Sequence, residues 1–259
     1  MRYGGNTACV EVRTKAGATL ILDAGTGIRR LGARLGGDER IDVLLSHLHT
    51  DHIQGLGFFR PLFQVGREVH IWGPGSAEKD LRTSLTRYLS MPLFPVHLRE
   101  LPSQLILHEA PLDGVEIGGT VVTASPIIHP GPTVGYRIRE GDRTLTYMSD
   151  HEPVLGRDTL PESSTWTSGY AIAQGADILV HDSQYTDDEY MTHRGWGHSS
   201  ISQASEFARR AGVKKLITFH HDPDHSDQEL DELHRQAAEQ TASSFELIPG
   251  KEGLSLEVR

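Results

Sequence analysis

A single cysteine, Cys9, in 259 residues leaves nothing with which to build an internal disulfide framework or a thiolate cluster for zinc. The expectation that goes with this is a reducing, cytoplasmic setting. No stretch approaches the ~18 consecutive apolar residues of a membrane span, and the opening Met1-Arg2-Tyr3-Gly4-Gly5-Asn6 lacks the apolar core of a signal peptide. Positive charge is scarce: 25 Lys and Arg stand against 35 Asp and Glu, a formal charge of −10. That balance argues against bulk electrostatic attraction to nucleic acid. There is no Gly-x-Ser-x-Gly elbow, no phosphate-binding P-loop, no internal repeat and no long linker. With 37% hydrophobic and 23% charged residues, the chain reads as a soluble globular protein. One domain covering 1–259 is expected.

Histidine is the exception to this restraint. Fifteen are present, concentrated at 47–52, 129, 151, 181, 193–198 and 220–225. Imidazole is the commonest metal ligand and titrates near neutral pH. Short Val-, Ile-, Leu- and Thr-rich runs predict strands over Thr7–Arg13, Thr19–Asp23, Ile41–Ser46, Val69–Trp72, Val121–Ser125, Thr133–Arg139, Thr144–Ser149, Ile178–Asp182 and Leu216–Phe219. Within the sixth and seventh, Tyr136–Arg139 and Thr144–Met148 read as a hairpin around Glu140-Gly141-Asp142-Arg143. Helices are expected over Ile28–Leu35, Ile53–Gln64, Ala77–Leu89, Ser200–Ala211 and Gln228–Glu239, with Ser199 as an N-cap and Gly212 as a C-cap of the fourth. Alternating strands and helices indicate an α/β protein with helix-covered sheets.

The densest signal is Ser46-His47-Leu48-His49-Thr50-Asp51-His52. It lies between a buried strand and an amphipathic stretch, where a sharp turn can gather four metal-competent side chains. Further along, His129 follows a strand, Asp150 ends one, and His220 and His221 end another. Since a strand alternates its side chains, only one of the last pair should face such a centre. Near the start, Leu22-Asp23-Ala24-Gly25-Thr26-Gly27 is an aspartate at a strand end followed by a glycine turn. A dinucleotide-binding reading of Gly25-Thr26-Gly27 fails because Arg30 stands where a third glycine is required. Cys9 reads as a core residue.

His-x-His-x-Asp-His after a buried strand resembles the metallo-β-lactamase superfamily, and the other four segments resemble its remaining motifs in order. The resemblance implies an αββα sandwich, two mixed sheets flanked by helices. It implies two metal ions, with His47, His49 and His129 on one, Asp51, His52 and His220 on the other, and Asp150 between them. Asp23 would hold the ligand loop. Carboxylate and imidazole donors suit Zn²⁺, and also Mn²⁺ or Fe²⁺; two Zn²⁺ are expected.

Within the superfamily, Asp51-His52-Ile53-Gln54-Gly55-Leu56 resembles ribonuclease Z and cyclic-phosphate phosphodiesterases. His129 to Ile138 resembles the His-to-Gly-Tyr-Arg strand of ribonuclease Z-like enzymes. Gly197-His198-Ser199-Ser200 is similar to the segment that supplies their proton-donating histidine. The implied activity is hydrolysis of a small or cyclic phosphodiester through a hydroxide bridging the ions. Asp51 would orient that hydroxide and His198 would protonate the leaving oxygen. The acidic partner of His198 is not evident; Asp187, Asp188 and Glu189 are candidates by proximity. Ribonuclease Z's glycine-rich basic arm has no counterpart in 76–102, which with the acidic charge argues against tRNA as substrate. A homodimer is compatible with the sequence. The rivals are a thioester, lactone or β-lactam hydrolase of the same fold, a mononuclear iron sulfur-dioxygenase-type enzyme, and a non-catalytic metal-binding maturation protein.

Overall fold

The short apolar runs become strands of two mixed sheets with helices against them, the expected α/β class. The computed structural model describes residues 2–37, 40–76, 78–157, 159–241 and 244–258. By internal packing the chain divides into two compact units, Asn6–Val121 and Met1–Gly5 with Val122–Arg259.

The unit Asn6–Val121 carries β1 (Val10–Arg13), β2 (Thr19–Leu22), β3 (Ile41–Leu44), β4 (Glu68–Gly73) and β5 (Gln104–Glu109), hydrogen-bonded in that order. β1 and β2 are antiparallel and the rest parallel. β2 and β3 are buried along their whole length, as parallel strands covered on both faces must be. Their apolar side chains, with Ile28 and Leu31 of α1 (Gly27–Arg34), make a core that also takes in Leu56, Phe59 and Leu62. Cys9 packs at its edge, and burial pushes its thiol pKa up to about 12.

The long helix expected over Ile53–Gln64 is replaced by α2 (Thr50–Ile53) and two 3-10 turns, Leu56–Phe58 and Arg60–Phe63. Gly55 is the reason. Its amide donates to the Ala24 carbonyl, and a Cβ there would lie 2.1 Å from the Gly25 oxygen. α3 (Leu81–Tyr88) starts later than expected because Asp80 caps it, accepting from the Thr83 amide. Ala77, where that helix was expected to begin, lies outside the described residues.

β6 (Val115–Ile117) and β7 (Thr120–Pro126) begin the second sheet where the chain passes from one unit to the next. It continues through β8 (Val134–Glu140), β9 (Arg143–Met148), β10 (Ile178–Asp182), β11 (Lys215–Phe219) and β12 (Glu246–Pro249). The order is β12-β11-β10-β9-β8-β7-β6. β8 and β9 form the expected hairpin, Glu140 opposite Arg143, while β9 to β12 run parallel. Its core joins Met148, Leu179 and Leu216 to Ala204, Phe207 and Ala208 of α6 (Ile201–Ala211). Ser200 caps α6, not Ser199: its hydroxyl accepts from the Gln203 amide. Ser199 instead binds the His151 carbonyl and Asp182. Gly212 closes the helix at φ 65°.

The sequence reading passed over α4 (Tyr170–Ala173) and α5 (Asp187–His193), although Thr186-Asp187-Asp188-Glu189 is a capping box that heads α5. α7 (Asp227–Thr241) runs slightly longer than expected. The N-terminal residues belong to this unit. Arg2 and Tyr3 donate to Asp227, the Tyr3 ring stacks on His234, and the Gly5 amide reaches Glu252. No described helix is long and apolar enough to cross a membrane.

Candidate metal centre

In the unit Asn6–Val121, the donors sit where β3 runs out into a loop and turns into α2. The His47 ring lies 4.4 Å from that of His49 and 4.1 Å from that of His52, and His52 Nε2 is 3.2 Å from Asp51 Oδ2. Asp23, fully buried at the end of β2 and in the left-handed region at φ 60°, organises them. Its carboxylate accepts the Ser46 amide at 2.7 Å, the Ser46 hydroxyl at 2.8 Å and His52 Nδ1–H at 2.8 Å. The Ser46 oxygen in turn lies 3.0 Å from His47 Nδ1. Protons placed on Nδ1 make Nε2 the lone-pair atom of each ring, the tautomer a ligand needs. Gly25 lets the neighbouring turn approach this loop, since a Cβ there would meet the Asp51 oxygen at 2.4 Å.

In the unit that includes Val122–Arg259, His129 donates from Nδ1 to the Gly197 carbonyl at 2.9 Å. Its Nε2 lies 3.7 Å from Asp150 Oδ2, and His220 Nε2 lies 3.5 Å from that same oxygen. These separations exceed a hydrogen bond. Two ligands each ~2.1 Å from a shared cation stand about 3.4 Å apart in tetrahedral geometry, so the spacing and the donor chemistry fit a metal. Donor atoms of His129, Asp150 and His198 gather within 4.8 Å of one another, as do those of Asp182, His198 and His220.

His220 and His221 part company because β11 ends at Phe219 and His220 takes φ 58°. That turn stacks the His220 ring on His198, 5.1 Å between centroids. His221 instead lies against Tyr3 and His234 with Nε2 on the Gly250 carbonyl, and burial pushes its pKa down to about 4.

His198 is held by Asp182, at the end of β10, with Nδ1 to Oδ2 at 2.6 Å. Burial opposes a charged ring, but the charge and hydrogen bond of Asp182, with Asp150 beyond, outweigh it and raise the His198 pKa. The three acidic candidates named for this role do other work. Asp187 binds the Ser200 and Ser202 hydroxyls, Glu189 takes His225 and the α5 cap, and Asp188 lies on the first turn of α5. Asp182 went unrecognised because its pairing crosses from one element to another. Its sequence signal, a carboxylate ending a buried strand, was present.

Glu152 was also missed. It is fully buried, and its carboxylate accepts from the Tyr190 hydroxyl at 2.7 Å and from the amides of Gly156, Gly195 and Gly197 at 2.7, 3.0 and 2.9 Å. The loop that presents His198 is thus fastened from beneath. Behind it, His151 and His181 are buried 2.9 Å apart, and burial pushes both imidazole pKa values down.

Two mixed sheets flanked by helices, with imidazole and carboxylate donors at strand ends, define a metal-dependent hydrolase of the metallo-β-lactamase type. Residues 18–221 match the beta-lactamase superfamily domain, and the chain belongs to that superfamily. It is similar to a ribonuclease Z of Myxococcus xanthus, 28% identical over 253 residues, covering 80% of each chain. Among solved structures it resembles the metallo-beta-lactamase fold protein YhfI from Bacillus subtilis, with TM-score 0.71, 21% identity and coverage of 99% and 96% of the two chains. A diphosphatase from the PhnP family gives TM-score 0.68 and 21% identity, with 98% of this chain and 85% of that one covered.

Proposed function

We propose that the chain is a dinuclear phosphodiesterase acting on small or cyclic phosphodiesters. The observation that carries this is His198: an imidazole fixed by a buried aspartate, its ring 4.9 Å from that of His129 and 5.1 Å from that of His220. A poor leaving group such as an alkoxide gains most from a proton donor, whereas a thiolate leaves readily as an anion. A positioned donor therefore favours phosphodiesters over thioesters. The name of the ribonuclease Z relative points to the same bond class, and that of the PhnP-family diphosphatase to cleavage at phosphorus more broadly. With a net charge of −10 and no basic arm in 76–102, a small diester suits this chain better than tRNA.

His47, His49 and His129 would hold one Zn²⁺, Asp51, His52 and His220 the second, and Asp150 both. This assignment rests on family membership and on the donor chemistry of each set. When bound, the ions supply an acidified water and stabilise charge at phosphorus. Asp51 orients the attacking water. Asp182 keeps the His198 proton on Nδ1 and stabilises the imidazolium, so that Nε2 delivers its proton to the leaving oxygen. Asp23 and Ser46 hold the rings of His52 and His47 in their ligating tautomers.

The test uses leaving-group chemistry. His198→Ala should slow hydrolysis of an alkyl phosphodiester about 10²–10⁴-fold and that of bis(4-nitrophenyl) phosphate far less, with metal content unchanged. Asp182→Asn should show the same selectivity in milder form. Equal losses on both substrates would remove the proton-donor role. Turnover of thioesters or lactams but of no diester would overturn the reading as a whole.

A further inference from the structure

Beside His198 the chain makes an unusual display. Gly195-Trp196-Gly197 places an indole that is 59% exposed between two glycines at φ 81° and 88°. A mobile surface tryptophan would need no such support, yet both flanking amides are tied to the buried carboxylate of Glu152. A Cβ on Gly197 would strike Pro130 at 2.3 Å and the His129 ring at 2.6 Å, so the backbone packs directly against a candidate ligand. The aromatic groups are continuous. Tyr185 stands edge-on to His198 at 5.9 Å, His193 stacks on Tyr185 at 4.7 Å with planes 19° apart, and Trp196 meets His193 edge-on at 4.8 Å. Tyr185 is buried, so the indole forms the open end of this wall.

We propose that Trp196, backed by His193, is a base-stacking platform that selects phosphodiesters carrying a nucleobase on the leaving-oxygen side. This rests on the phosphodiesterase reading, in which His198 protonates that oxygen. Trp196 is two residues away, at most about 7 Å along the chain, which is within the reach of a base attached through ribose. A rigid aromatic surface offered to solvent loses little freedom on binding, and every base has a π-face to stack on it. The acidic chain does not favour a long polyanion, so the occupant is a mononucleotide or a short end, held by its ring instead of its backbone charge.

The experiment compares two five-membered cyclic diesters on the zinc-loaded full chain: adenosine 2′,3′-cyclic phosphate, whose opened ring leaves the departing oxygen on the base-bearing ribose, and ethylene phosphate, which has no base. Trp196→Ala should raise KM for the adenosine diester about 10- to 100-fold and leave kcat within a few-fold, with ethylene phosphate unaffected. Trp196→Phe should restore most of the loss. Calorimetric titration with AMP reads the platform without turnover and should weaken in parallel. Equal effects of Trp196→Ala on both diesters, or AMP binding that is absent or indifferent to Trp196→Ala, would overturn the platform. If neither diester is turned over while AMP still binds through Trp196, the phosphodiesterase reading fails and the stacking site stands.

Discussion

Asp23 shows how much one side chain can organise without touching a reactant. It spends both carboxylate oxygens on Ser46 and His52, and through Ser46 it reaches His47. Asp23→Ala should strand a buried amide and an imidazole N–H, each at about 1–3 kcal/mol, and release the tautomer of His52. We expect a loss of about 2–5 kcal/mol in urea unfolding, with metal content reduced. A metal-replete Asp23→Ala protein of native stability would show that the loop holds itself. The candidate donors could be named from sequence because metals demand imidazole and carboxylate at tight spacing in one loop, or alone at strand ends. Asp182 and Glu152 could not be named with roles. Asp182 reaches His198 across 16 residues, and Glu152 reaches Tyr190 and the Gly195 and Gly197 amides across 38 to 45, pairings that no local pattern encodes.

At the scale of elements, interior strands were easier to read than edges. β2, β3 and β10 are buried on every residue and dominated by Ile, Leu and Val, with Thr19, Asp42 and the closing His181-Asp182 as their polar members. β5, at the end of the first sheet, and β12 and β6, the two ends of the second, are half exposed and escaped notice. The misjudged helix over Ile53–Gln64 had apolar residues at suitable spacing. What overrode the pattern was the contact Gly55 makes with the Asp23–Gly25 turn, together with Gly57 and Pro61. α6 was legible at both ends within a residue because its stop signal is a glycine in the left-handed region. Nothing lies within 4 Å of a Cβ built on Gly212, so substitution there probes backbone strain alone. Gly212→Ala should cost about 1–2 kcal/mol and Gly212→Asn less, both measured by urea melts. Equal stability of Gly212→Ala and the native chain would mean that the helix end relaxes freely.

For the whole molecule, the sharpest expectation concerns cations. Carboxylates and imidazoles drawn together at strand ends repel or desolvate one another unless a positive charge joins them. Ligand binding to the folded state alone raises stability by RT ln(1 + [L]/Kd), about 4 kcal/mol at a thousandfold excess over Kd. The chelated protein should therefore melt several degrees lower and regain both melting temperature and activity on adding Zn²⁺. Elemental analysis should give two zinc ions per chain. One iron per chain would instead favour the mononuclear oxygenase alternative, and unchanged melting after verified metal removal would show that the donors do not hold a structural load.

The contacts of Arg2, Tyr3 and Gly5 with Asp227, His234 and Glu252 have a consequence for biosynthesis. Residues 2–5 belong to a unit whose other members lie beyond position 121, so Arg2 waits 225 positions of synthesis for Asp227. At ~5–20 residues per second that is a delay of roughly 10–45 s. Within that interval the whole of Asn6–Val121 is made, so residues 2–5 must stay unengaged while the other unit matures. A bulky substitution at residues 2–5 would disturb this late contact, beside His221 and one residue from His220.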